Sequence, residues 1–267
     1  PYFFSKSRDK GIRLGTFEGN IIMRIQKSFY TSGGTLYIVA TPIGNLSDIS
    51  SRAIEILKQV DVIAAEDTRH TRKLLSSFQI SKPLISYHQF SKERKEELLI
   101  ERLREGDSIA LVSDAGMPAI SDPGEKLVHR AIEGDIPVVP IPGPNAALSA
   151  LVASGLPSQP FIFVGFLPRT TKKRKDELKK WCNIEATLLF YEAPFRVVEM
   201  LRDVLNVCGN RPVVVSREIT KKNEEWMRGN LQEIIVHLEN TELKGEFTVV
   251  VAPGCPEVEE EWAEEDV

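Results

Sequence analysis

The chain has 267 residues, enough for two domains of ordinary size, and its 42% hydrophobic and 27% charged residues are the balance of a folded globular protein, not a disordered or fibrous one. No apolar run reaches the roughly 20 residues of a membrane helix, and three scattered cysteines, Cys182, Cys208 and Cys255, argue against a disulfide scaffold and for a reducing, cytoplasmic setting. The net charge of −4 is unevenly held, because seven acids and no Lys or Arg stand in the last thirteen residues, leaving the rest at +3.

Residues 1–34 mix Lys and Arg with isolated aromatics and show no period. They are read as a poorly ordered leader or extension, with Met23 a natural start and an organellar transit peptide as an alternative. From Thr35 short β-branched runs at 36–40, 62–65, 84–86, 109–112 and 137–141 alternate with helical patterns at 50–59, 68–78, 91–104 and 125–133. A small-residue helix at 145–154 ends at the breaker Gly155-Leu156-Pro157, where a domain boundary is placed. A second series has apolar runs at 161–166, 187–191, 213–216 and 248–252, with helices near 172–181, 195–207 and 231–238. Fully apolar strands alternating with helices predict two α/β domains, 35–155 and 156–254, followed by an acidic tail at 255–267.

In open α/β sheets ligands bind beyond the carboxyl ends of the strands. There stand Thr41-Pro42-Ile43-Gly44-Asn45, Glu66-Asp67-Thr68-Arg69-His70, Ser113-Asp114-Ala115-Gly116-Met117-Pro118 and Pro142-Gly143-Pro144-Asn145. Several have plain structural readings. Asp122-Pro123 reads as a helix N-cap with proline at the first helical position, and Glu66 and Asp67 suit a helix dipole. Asp114 resists such a reading, since it follows a strand directly within a small-residue loop, and it points to a polar ligand. Neither G-x-G-x-x-G nor a P-loop occurs, and the four histidines have no zinc-like spacing, so no metal is expected. The residues alone indicate a two-domain enzyme with a cleft for a small polar molecule.

These four strand-end segments, together with Phe166-Leu167-Pro168-Arg169, Tyr191-Glu192-Ala193-Pro194-Phe195-Arg196 and Ser216-Arg217-Glu218-Ile219-Thr220-Lys221, resemble the ribosomal small-subunit methyltransferase I family of the tetrapyrrole-methylase-like superfamily. The resemblance runs in order over residues 34–254. It implies an S-adenosylmethionine-dependent 2′-O-methyltransferase acting on a decoding-centre cytidine of 16S rRNA within the small ribosomal subunit. It also implies a homodimer with the cofactor in a cleft between the two domains. Implied cofactor residues are Pro42, Gly44, Ser113, Asp114, Ala115, Gly116, Met117, Pro142, Gly143 and Ala146 from the first domain. Tyr191, Glu192, Ala193, Arg217 and Glu218 would close over it from the second, with the 251–253 segment.

A ribose hydroxyl asks for a proton acceptor, and Glu66, Asp67 and His70 share one cleft-side loop, with an acid preferred over His70. RNA asks for cations. Residues 169–180 carry Arg169, Lys172, Lys173, Arg174, Lys175, Lys179 and Lys180 against Asp176 and Glu177, and Arg69 extends the track. The rival readings are a methylase of porphyrin or corrin precursors, which would carry a glycine-richer first loop, and a non-catalytic RNA-binding protein.

Overall fold

The computed structural model describes residues 25–26, 34–88 and 93–254. The acidic tail and nearly all of the expected leader lie outside the described residues.

Strands β1 (Leu36–Val39), β2 (Val62–Ala65), β3 (Leu84–Ser86), β4 (Ile109–Val112) and β5 (Val138–Ile141) form an all-parallel sheet in the order β3-β2-β4-β1-β5. Helices α1 (Ser51–Gln59) and α2 (Thr68–Ser77) cover one face, where Ala53, Leu57 and Leu75 meet Val39, Ile63, Ala65 and Val112. Helices α3 (Glu93–Arg104) and α4 (Glu125–Glu133) cover the other, where Leu99, Leu103, Leu127 and Ala131 meet Leu36, Ile38, Val62 and Leu111. Successive strand side chains point to opposite faces, and both faces are buried, so the strands read as unbroken apolar runs. One residue of the stretch set aside as a leader takes part in this sheet. The Gln26 side-chain amide donates to Val138 O (3.0 Å) and accepts from Val138 N (2.9 Å), completing the free edge of β5 as a neighbouring strand would.

The second sheet is mixed. Strands β6 (Phe161–Phe166), β7 (Thr187–Glu192), β8 (Pro212–Arg217), β9 (Glu225–Asn230) and β10 (Phe247–Val251) lie in the order β6-β7-β10-β8-β9. Only β6 and β7 run parallel; the other pairs are antiparallel. Strand β9 escapes the sequence pattern because Glu225-Trp226-Met227-Arg228-Gly229-Asn230 buries a single side chain at the sheet edge. Helices α6 (Thr171–Trp181), α7 (Val197–Cys208) and α8 (Leu231–Glu239) pack Leu178, Met200, Leu201, Val204, Ile234 and Leu238 on the face of Leu188, Phe190, Val213, Val215 and Val249.

The opposite face is covered by α5 (Ala146–Ser154), whose Ala147, Ala150 and Leu151 meet Leu189, Val214 and Val250. The breaker at residues 155–157 therefore follows a helix that packs with the second sheet, and in packing the changeover comes earlier, at the turn 142–145. Cys182 caps α6 and Cys208 ends α7, and because both helices lie on one sheet face the two cysteines come together, their Cα atoms 5.2 Å apart. No helix among the described residues is long and apolar enough to cross a membrane.

Candidate active site

The carboxyl ends of β1, β2 and β4 are tied to one another by hydrogen bonds. Thr41 and Gly116 exchange backbone bonds (Thr41 N to Gly116 O 2.9 Å, Gly116 N to Thr41 O 3.1 Å), and Thr41 Oγ1 donates to Ser113 O at 3.2 Å. Buried Ser113 donates onward to Gly116 O (3.2 Å), so its hydroxyl shapes the loop. Gly116 sits at φ +84, a left-handed conformation that favours glycine. Asp114 Oδ1 accepts from Asp67 N at 3.1 Å, joining the β4 loop to the β2 loop. Ala115, Pro142 and Gly143 lie exposed beside these ties, while Met117 packs into the first core. At Gly143 a Cβ would stand 2.8 Å from Ala40 Cβ, so the β1 and β5 ends meet only because that side chain is missing.

The acids on these loops behave differently. Asp67 is the N-cap of α2, with Oδ1 accepting from Arg69 N (2.8 Å) and His70 N (3.4 Å) and Oδ2 facing Arg69 Nη2 (3.3 Å). Those donors hold its proton affinity below the usual range. His70 points outward and exposed on α2. Glu66 is half-buried, and burial followed by the Asp114 charge raises its proton affinity. The missed residue is Asp122. It does not cap α4: the cap position belongs to Gly124, with no side-chain bond. Its carboxyl is half-buried and pushed up to about 7, first by burial and then by the charges of Glu66 and Asp114. Asp122 in turn raises the Tyr191 phenol of β7, after the larger effect of burial, so it lies between the two halves. The Pro-Gly dipeptide at 123–124 is a turn signal that carried this information, moving the helix start past the aspartate.

From the second half, Tyr191 and Ala193 stand at the β7 end as expected, and the Tyr191 hydroxyl accepts from Ala147 N (3.1 Å). Other expected residues are engaged by the protein's own groups. Glu192 is buried, accepting from Ala193 N (2.8 Å) and pairing with Arg196 (3.2 Å). Arg217 donates to Lys244 O and pairs with Glu225, while Glu218 accepts from Glu246 N and pairs with Lys221. The stem of Lys221 lies across Gly44, where a Cβ would fall 2.2 Å from Lys221 Cγ, so Gly44 serves the contact between halves. Arg174, expected at RNA, is fully buried between Asp203 (2.6 Å) and Glu199 (2.7 Å). Its register on α6 turns it to the core, and Lys175 follows toward Asp203 at 3.5 Å. Arg169, Lys172 and Lys173 remain exposed, as does Arg69.

Between the halves lies a pocket of about 320 Å³ lined by Ile43, Asp48, Pro144, Ser149, Ile219 and Thr220. That is the lower end of the range for small-molecule sites. Ile43 and Pro144 belong to the expected loops, and Ile219 and Thr220 to the 216–221 segment, whereas nothing in the sequence marked Asp48 or Ser149. Thr220 Oγ1 donates to Asp48, bridging the pocket from one half to the other. The described residues hold no cluster of side chains suited to a metal ion.

Residues 35–235 match the family model for tetrapyrrole (corrin/porphyrin) methylases. A ribosomal RNA small subunit methyltransferase I of Halalkalibacterium halodurans is 52% identical over 241 residues, covering 90% of this chain and 83% of that protein. Its namesake in Bacillus subtilis is 48% identical over 248 residues, covering 91% and 85%. The chain belongs to the ribosomal RNA small subunit methyltransferase I family. Among solved structures, a diphthine synthase matches with a TM-score of 0.64 at 16% identity, covering 82% of this chain and 90% of that one. A Thermus thermophilus uroporphyrin-III C-methyl transferase, solved with S-adenosyl homocysteine, matches with a TM-score of 0.58 at 19% identity, covering 82% and 97%. These likenesses place the family member in the tetrapyrrole-methylase fold, and its activity is that of an RNA methyltransferase.

Proposed function

We propose that the protein transfers the methyl group of S-adenosylmethionine to the 2′-hydroxyl of a decoding-centre cytidine in 16S rRNA of the small ribosomal subunit. The observation that carries the ribose target is Asp122, a half-buried carboxylate whose proton affinity is pushed up to about 7 and which neither caps α4 nor pairs with a cation among the described residues. The pocket suits the cofactor's nucleoside in size and chemistry, setting the Asp48 carboxylate and the Ser149 and Thr220 hydroxyls among Ile43, Pro144 and Ile219. The exposed Pro142-Gly143 backbone admits close approach for the same reason that no Cβ fits there.

When bound, the cofactor supplies an electrophilic methyl group on a sulfonium. The stapled β1, β2 and β4 loops hold the reactants in place, an effect worth about 7–11 kcal/mol in well-aligned systems. Asp122 accepts the hydroxyl proton on a carboxylate oxygen. Burial, and then the charges of Glu66 and Asp114, keep its affinity high enough to take that proton near pH 7, and a base so matched contributes about 10²–10⁴-fold. Exposed Arg169, Lys172 and Lys173 neutralise phosphates at the mouth. A homodimer belongs to the same reading, and Leu148 and Val152, 49% and 77% exposed one turn apart on α5, offer it an apolar strip.

Incubation with labelled cofactor and small subunits lacking ribose methylation, followed by mapping, is expected to place one label on a decoding-centre ribose. Label on a base, or on a tetrapyrrole precursor in preference to RNA, overturns the reading.

A further inference from the structure

We propose that Phe166 and Phe195 form a base-stacking rim for single-stranded RNA at the mouth of the cleft. This rests on the RNA reading above and adds how nucleotides beside the target are held.

Phe195 is 83% exposed and Phe166 58%, large rings that folding leaves in water. Phe166 reaches its position through an irregularity. Ile162 and Val164 pack toward the α6–α8 core, and simple alternation would send Phe166 the same way. The β6–β7 register slips between Phe163 and Gly165, which sits at φ +73, and Phe166 then pairs directly with Tyr191. A bulge re-aims the side chains beyond it. The Phe166 ring accordingly stands 5.6 Å from the ring of Tyr191, on the cleft face.

Phe195 is carried to the same rim by its neighbour. Arg196 Nη2 donates to Leu167 O (2.8 Å) and Pro168 O (3.3 Å), and its guanidinium is steadied by buried Glu192. The loop holding Phe195 is thereby latched to the loop that follows Phe166 and leads to Arg169. Along the basic segment, Arg174, Lys175, Lys179 and Lys180 are each engaged with an acid. Arg169, Lys172 and Lys173, nearest this rim in sequence, are exposed. Open aromatic faces beside cations suit unpaired nucleotides, whose bases stack while their phosphates meet the charges. A duplex offers the phosphates but keeps its base faces covered.

The test measures fluorescence-anisotropy binding of a single-stranded RNA of decoding-centre sequence, and of a matched strand whose flanking nucleotides lack bases. Phe166→Leu and Phe195→Leu, both at exposed positions, are each expected to weaken binding of the complete strand by about 5- to 150-fold. They should leave the abasic strand and the salt slope unchanged, whereas Lys172→Ser with Lys173→Ser should flatten the slope by about 1.4. Wild-type binding without salt dependence defeats the RNA reading itself. Salt-dependent binding that ignores both Phe substitutions overturns the rim alone. Dissociation of a dimer by Phe166→Leu or Phe195→Leu, seen by light scattering with RNA affinity intact, assigns the rings to a second copy and overturns it too.

Discussion

The turns at 66–70 and 121–125 each set an aspartate between a strand of the first sheet and a helix, yet the two carboxylates do opposite things. Asp67 meets the free N–H groups of α2 and the Arg69 guanidinium, and these donors satisfy it. Asp122 is held short of α4 by Pro123 and Gly124, so the helix N–H groups lie beyond it and its neighbours are Glu66 and Asp114. One charge is stabilised by its donors. The other is destabilised by burial and like charges, and in the proposed function it is the group that takes a proton. Geometry two residues wide decides which aspartate holds the frame and which faces the cleft.

The largest effect that sharpens this contrast is expected from Asp122→Asn, which should lower methyl transfer by about 10²–10⁴-fold. In the wild type the rate should rise with pH through about 7, and the substitution should abolish that limb. Stability should move the other way. The fold binds this proton more tightly than an unfolded chain, so Asp122 costs stability as pH climbs from its ordinary 3.8 through about 7. Melting temperatures of the variant and wild type should coincide below pH 4 and diverge in the variant's favour by pH 8. A variant with full activity, or one without that divergence, breaks the comparison.

Next comes Arg174→Ala, expected to cost about 3–5 kcal/mol in denaturant unfolding because it strands Asp203 in the core. Pairing Arg174→Met with Asp203→Leu should recover most of the loss. A mild cost accompanied by weaker RNA binding would return Arg174 to the cleft side. The smallest effect belongs to Asp67. Asp67→Ala should lower the melting temperature slightly by removing the cap of α2, while Asp67→Asn keeps a capping acceptor and should be nearly neutral in both unfolding and turnover. Loss of turnover in Asp67→Asn comparable to that in Asp122→Asn would erase the distinction between them.

The sheet strands and most helices were legible because their side chains obey simple periods. Strands β2, β3 and β4 and helix α4 fall on the bounds read from the sequence. Strand β9 was not, since an edge strand needs little apolar character when its pairing partner β8 supplies the order. At the site, the loops were found by their small residues, but side-chain direction was not. Arg174 follows the exposed Lys172 and Lys173, and Glu192 sits between half-buried Tyr191 and Ala193, and only helix register and the Arg196 contact turn them inward. Asp48 and Thr220 meet across 172 residues of chain, a proximity that no local pattern encodes.

The position of α5 has a practical consequence for anyone wishing to divide the molecule. Cutting at the conspicuous Gly155 breaker would leave the helix attached to the wrong fragment. Leu189, Val214 and Val250 would lose their cover, and the fragment beginning there would present an open greasy face prone to aggregation. A cut within the turn ahead of Ala146 keeps the helix with the surface it protects. The two pieces, if they reassociate, would then do so through the pocket walls themselves, making complementation an assay for the cleft.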